Sequence, residues 1–128
     1  MSAADLQTPL KRARGLGSAK SGAHHWIIQR ITAVALIPLC LWVIWLVLAT
    51  LHGDYAQARA LVHAPVNAAL LIAFVLAVFW HTQLGLQVVI EDYVHTRWLE
   101  ISVQLAVKFF CVFGAVACVL AIARIALG

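Results

Sequence analysis

The run IIQRITAVALIPLCLWVIWLVLATL, Ile27 to Leu51, decides how this chain has to be read. A bilayer's hydrocarbon core takes about 20 helical residues to cross, and this run is long enough. Its one charge, Arg30, stands just inside its start. Pro38 lies in its middle, where a missing backbone donor is expected to bend a helix. Two more stretches of the same kind follow, from Val66 to Ile90 and from Leu99 to Leu127. Between them lie two polar connections, HGDYAQARALVHAP over residues 52–65 and EDYVHTRW over residues 91–98. Pro65 occupies a favoured first-turn position for the second helix. Length and apolarity, rather than a 3.6-residue stripe, carry this reading.

Composition agrees. Of 128 residues, 64% are hydrophobic and 11% charged, where a soluble domain carries about 25% charged residues. A chain of this size buries only about two-thirds of its surface on folding, so lipid has to cover the rest. The expected fold is an all-α integral membrane protein whose three transmembrane helices form part of a larger heteromeric helix bundle. The sequence holds no internal repeat and no soluble domain.

Residues 1–26 read as a polar, small-residue-rich tail, cytoplasmic, with its last part at the membrane surface. The tail lacks the order of a signal peptide, and it is short and carries Asp5, unlike a mitochondrial transit peptide. A bacterial inner-membrane chain without a cleaved leader is therefore expected. The basic residues set the orientation. Lys11, Arg12, Arg14, Lys20 and Arg30 flank the first span on its N-terminal side, the first connection holds only Arg59, the second holds Arg97, and Arg124 lies near the C-terminus. Lys108 can snorkel toward the second connection. The net charge of +4 is mostly this tail. It reads as a topology and anionic-lipid signal, not as a nucleic-acid surface. Cys40, Cys111 and Cys118 all fall in apolar spans. Cys111 and Cys118 are about 10.5 Å apart along a helix, too far for a disulfide, and all three read as small core residues.

Polar groups at membrane depth are costly and mark function by default. The second span holds His81, Thr82, Gln83, Gly85 and Gln87 in the run FWHTQLGLQVVIEDYVH. His81 lies near mid-span and needs a hydrogen-bond partner, an aqueous cavity or a metal. A bond to a neighbouring helix is one reading; an axial bond to haem iron is the other. Gly85, one turn on, removes a side chain where a flat macrocycle would press, but close helix packing explains it equally well. The remaining histidines, His24, His25, His52, His63 and His95, fall at span ends or in connections. A six-coordinate haem would therefore take its second ligand from another subunit. Asp92, eleven residues beyond His81, shares its face if the helix continues through Glu91. A solvated connection is the plain reading of Glu91 and Asp92, and interfacial anchoring that of Tyr93, Trp26 and Trp98. A phenol and an adjacent carboxylate can equally bind a quinone carbonyl and pass protons.

These residues resemble a known family. GAHHWIIQRITAVALIPL, followed by HTQLGLQVVIEDYVH, is similar to the D-type cytochrome b membrane anchor of succinate dehydrogenase, respiratory complex II. The shared pattern His-x-x-x-Gly-x-x-x-x-x-x-Asp-Tyr reads here as His81, Gly85, Asp92 and Tyr93, and Arg30 with Thr32 matches the entry of the first helix. The likeness covers about residues 22–105. It implies a flavoprotein subunit that oxidises succinate, an iron–sulfur subunit, and a sister cytochrome b anchor of the C type. It also implies one haem b shared between the anchors and ubiquinone as the electron acceptor, as part of the tricarboxylic acid cycle and electron transport. His81 is then the axial ligand to haem iron, Arg30 and His24 haem-propionate partners, and Tyr93 and Asp92 the quinone site; no catalytic residue is expected in this chain by itself. Lys108, a charge within the third span, departs from the pattern.

Two other readings compete: a purely structural anchor without haem, and a small proton-relay transporter subunit using His81 and Asp92. The second lacks the paired broken helices or repeats that transporters often show. The charge distribution puts the N-terminus in the cytoplasm and the C-terminus outside. Reporter fusions at residue 60 and after residue 128 should both read as periplasmic; a cytoplasmic signal at either point overturns the orientation.

Overall fold

The computed structural model describes residues 8–10 and 20–128, with side chains from residue 22 onward in the second range. Four helices run through that second range: α1 Lys20–Thr50, α2 Tyr55–His63, α3 Pro65–Tyr93 and α4 Arg97–Leu127. The three long ones, α1, α3 and α4, are long and apolar enough to cross a membrane. In hydrocarbon every backbone N–H needs a partner within its own segment, which leaves a helix as the only form open to such a run. At 1.5 Å per residue they measure about 44–46 Å, against about 30 Å of hydrocarbon. Their ends therefore reach into the headgroup region, and those ends hold most of the polar residues.

The helix boundaries differ from the sequence expectation in several places. The expected tail over residues 1–26 lies outside the described residues up to residue 19, apart from 8–10; from Lys20 the chain is already helix. No glycine–proline break separates residues 20–26 from the span, so the helix is free to start two turns early. The first connection is not irregular throughout. Asp54 caps α2, its carboxylate accepting from Gln57 N at 2.8 Å, and this short helix is tied to the start of α3 and the end of α4, which lie at one end of the bundle. Asn67 Nδ2 donates to Leu61 O at 2.8 Å and Arg59 Nη2 donates to Gly128 O at 3.0 Å. Pro65 stands in the first turn of α3, as its missing N–H favours. The second connection shrinks to residues 94–96, because α3 continues through Glu91 and Asp92 to Tyr93. Pro38 lies inside α1, which runs on through it.

The core is small. Leu46, Ala68, Leu84, Ile90 and Cys111 are the buried hydrophobic residues, and only 6% of the most apolar stretch of each span is buried within the chain. Of the three cysteines expected as core residues, Cys111 alone is buried; Cys40 and Cys118 are exposed on outward faces. α3 is the central helix, packed against α1 on one side and α4 on the other. At the α3–α4 contact a Cβ on Gly114 would lie 2.6 Å from Phe79 Cε1 and 2.8 Å from Cζ. A methyl group there forces the ring aside. Gly114→Ala is expected to destabilise the assembled protein by about 1–3 kcal/mol through overpacking, read as a lowered thermal midpoint. A wild-type midpoint would contradict this α3–α4 packing.

Candidate functional site

Polar residues of α1 and α3 meet on the seam between these two helices, while Gln83, Gln104 and Lys108 lie between α3 and α4. On α1 the spacing of His25, Gln29 and Thr32 puts them on one face at i, i+4 and i+7; on α3, His81, Leu84, Val88 and Glu91 repeat the pattern. Thr32 Oγ1 lies 3.0 Å from His81 Nδ1. The same oxygen lies 2.9 Å from Ile28 O and 3.0 Å from Gln29 O, both carbonyls of its own helix. A hydroxyl has one proton. Given to a carbonyl, it leaves Oγ1 as an acceptor for an Nδ1–H of His81; given to His81, it leaves Nδ1 as the acceptor. In the first arrangement Nε2 carries the lone pair, and it has no hydrogen-bond partner among the described residues. A neutral imidazole with Nδ1 tied by a neighbour and Nε2 free is the form in which histidine ligates a metal.

Gly85 separates two readings of the glycine. A Cβ placed there meets Gln29 Nε2 at 3.6 Å, ordinary van der Waals contact. The α1–α3 packing therefore admits a methyl group at this position, and close approach of the two helices does not explain the glycine. Gly114, where a Cβ would collide, shows what a packing glycine looks like in the same bundle.

The other expected residues divide by depth. Thr32 is level with His81, so Arg30 stands only about 3 Å nearer the surface that holds the start of α1, while Tyr93 lies about 18 Å nearer it. The Arg30 backbone is thus nearer in depth to His81 than to Tyr93, on the far side of α1 from Thr32. Its guanidinium lies over the Trp26 ring at 5.1 Å from the centroid, and the side chain is exposed. Asp92 and Tyr93 close α3, both exposed, Tyr93 at 79%. Because α3 continues through Glu91, Asp92 does share the His81 face, about 16 Å away. Of the two adjacent histidines, His24 is exposed and His25 is half-buried in the α1–α3 seam. Among the described residues no three His, Cys, Asp or Glu side chains converge as a metal cluster.

Three participants do not stand out in the sequence. Thr32 draws notice only as a neighbour of Arg30, and its spacing gives no sign of the helix it meets. Gln29 and His25 come to the seam because α1 starts upstream of them; a helical reading of residues 20–32 with period 3.6 aligns 25, 29 and 32.

The family model for the succinate dehydrogenase/fumarate reductase transmembrane subunit matches residues 4–122. The chain belongs to that family. The matched range holds His81, Gly85, Asp92, Tyr93 and Arg30 together, and within the family the chain stands with the hydrophobic membrane anchors of succinate dehydrogenase. It is 37% identical over 118 residues to the succinate dehydrogenase hydrophobic membrane anchor subunit of Rickettsia bellii (strain RML369-C), covering 92% of this chain and 94% of that one. The subunit of the same name from Paracoccus denitrificans is 34% identical over 127 residues, covering 94% and 93%. That of Rickettsia typhi (strain ATCC VR-144 / Wilmington) is 33% identical over 118 residues, covering 92% and 94%. No solved structure matches the chain significantly.

Proposed function

We propose that this membrane anchor binds haem b through His81 and forms part of the ubiquinone site through Tyr93 and Asp92, as the D-type anchor of a bacterial inner-membrane succinate:quinone oxidoreductase. The observation that carries the reading is the imidazole with Nδ1 held by Thr32 and Nε2 free, one turn from a glycine that the chain's own packing does not require. A purely structural anchor accounts for the Thr32–His81 bond but gives no reason for Gly85. The proton-relay reading gains nothing from the fold, in which His81 and Asp92 are about 16 Å apart with Leu84 and Val88 on the face between them.

The partners are those the family resemblance implies. A flavoprotein subunit removes two electrons and two protons from succinate, and an iron–sulfur subunit passes the electrons to the membrane. A sister anchor of the C type would supply a second histidine to the haem. Haem b, when bound, supplies a one-electron store at the anchor interface. His81 orients the ligand nitrogen, Thr32 holds its Nδ1, and Arg30, exposed and close to the same depth, offers a guanidinium to a propionate. His24, exposed near the membrane surface, is the further propionate contact the resemblance implies; His25 is the one of the pair that faces inward. Ubiquinone takes up two electrons and two protons, so its ring belongs where water is near. Tyr93 is there, its hydroxyl free to donate to a quinone carbonyl that a partner subunit helps to hold, with the Asp92 carboxylate beside it to take and release protons.

His81→Leu should abolish or markedly alter the dithionite-reduced b-type absorption of the assembled complex, while changes at His52 or His63 leave it intact. Gly85→Ala should keep the thermal midpoint close to wild type and lower haem occupancy. An unchanged spectrum in assembled His81→Leu removes the ligand assignment.

Tyr93→Phe keeps the ring and deletes the hydroxyl. A hydrogen bond lost in a water-poor site costs on the order of 1–3 kcal/mol, roughly ten- to hundredfold in rate if it acts in the transition state. Succinate–ubiquinone turnover should fall by about that factor, with succinate oxidation by a soluble artificial acceptor nearly unaffected. Wild-type quinone reduction and inhibitor sensitivity would reduce Tyr93 to an interfacial anchor.

A further inference from the structure

The seam that holds Thr32 and His81 opens toward the start of α1. There α1 and α3 part around a cleft of about 410 Å³, with His25, Trp26 and Gln29 on one wall and Gln87, Val88 and Glu91 on the other. Its mouth is at the membrane surface: Glu91 stands two residues before the end of α3 and is exposed. Its inner end is Gln29, three residues from Thr32 and in contact range of the Gly85 position. The cleft thus connects the surface with the hydrogen-bonded Thr32–His81 pair, on a different path from Tyr93.

Trp26, Leu84 and Val88 supply apolar wall, and between them four polar side chains face the space. An acyl chain or an apolar side chain would strip water from His25, Gln29, Gln87 and Glu91 with nothing in return. Gln87 Nε2 donates to Glu91 Oε1 at 2.8 Å, and that one bond leaves the remaining carboxylate lone pairs and the second amide proton to be met. Gln29 Oε1 is buried without a hydrogen-bond partner, so the amide at the inner end lacks a donor. A water there supplies it after a small turn of the amide. The space is wide enough for several waters, and a buried water is stable where it finds two to four polar partners.

We propose that this cleft is a water-filled inlet, open on the side of the membrane that holds the N-terminus, with His25 and Glu91 at its mouth and Gln29 at its floor. It brings water and exchangeable protons to within one helical turn of the Thr32–His81 pair. The inlet is a property of α1 and α3 and does not require that haem or quinone be bound.

The test is thiol accessibility in the assembled complex in membrane vesicles. Val88→Cys lines the cleft, Leu84→Cys lies near its floor, and Val89→Cys shares the depth of Val88 on another face. The parent chain, with Cys40, Cys111 and Cys118, serves as the blank. A membrane-impermeant maleimide added on the N-terminal side should label Val88→Cys and Leu84→Cys at least tenfold faster than Val89→Cys, and Val88→Trp combined with Leu84→Cys should suppress labelling by closing the passage. If Leu84→Cys does not assemble, Gly22→Cys at the mouth takes its place beside Val88→Cys. Labelling of Val88→Cys no faster than Val89→Cys overturns the proposal and means that lipid or a partner chain fills the cleft.

Discussion

One imidazole in a low-dielectric interior sets the terms for the rest of this bundle. His81 lies near the middle of α3, where either ring nitrogen left bare of a partner carries a desolvation cost. The Thr32 hydroxyl satisfies Nδ1 from across the seam. Among the described residues it is the one side-chain hydrogen bond that joins two membrane-spanning helices, so it also fixes the register of α1 on α3. Once Thr32 and His81 are level, Gln29 has to fall beside Gly85 and His25 near Val88. The cleft, the glycine and the carboxylates of the α3 end are placed by that single pairing.

Much of this architecture was legible before any coordinates. The three spans announce themselves by length and apolarity, and their cores need no finer signal because lipid accepts any apolar side chain. What length cannot give is the position of a boundary inside polar sequence. α1 reaches back to Lys20 because polar residues are as welcome as apolar ones once a helix has left the hydrocarbon. α2 was readable in principle from Asp54 and Gln57, whose three-residue spacing is a helix-start signature, but a nine-residue helix in a polar connection is easily taken for a loop. His81 stood out as a polar residue where none belongs. Its partner did not, because threonine is at home in a membrane helix and only the crossing of α1 over α3 selects Thr32. The same limit applies to His24 and His25: a step of 100° around α1 separates the exposed ring from the half-buried one, and the sequence does not carry the phase of that rotation.

The two glycines of the spans show how structure changes the weight of an ambiguous residue. From sequence, Gly85 and Gly114 are equivalent small residues in apolar helices, and close packing explains either. The geometry separates them. Gly114 is held by the Phe79 ring, whereas Gly85 has room for a methyl group on its own chain. A glycine that its own protein does not need is informative about something beyond the chain.

The same dependence on something beyond the chain extends to the whole outer surface. Lys108 lies eleven residues, about 16 Å, into α4 and is exposed, with no ion pair among the described residues. Side chains on a helix lean toward its N-terminus, so the ammonium is directed toward the Arg97 end, along Gln104 and past Gln83 and Gln87 of α3. Snorkelling spans about 6 Å, the length of a lysine stem, and shortens the distance to water without removing it. Arg30 is exposed as well, its guanidinium over the Trp26 ring. The hydrocarbon of the bilayer satisfies neither charge, nor a ring nitrogen of the imidazole left without a partner. A chain that buries 6% of its most apolar stretches yet displays these groups leaves them to lipid headgroups and to the other subunits of its complex. Its stability is then linked to partner concentration rather than fixed by its own contacts.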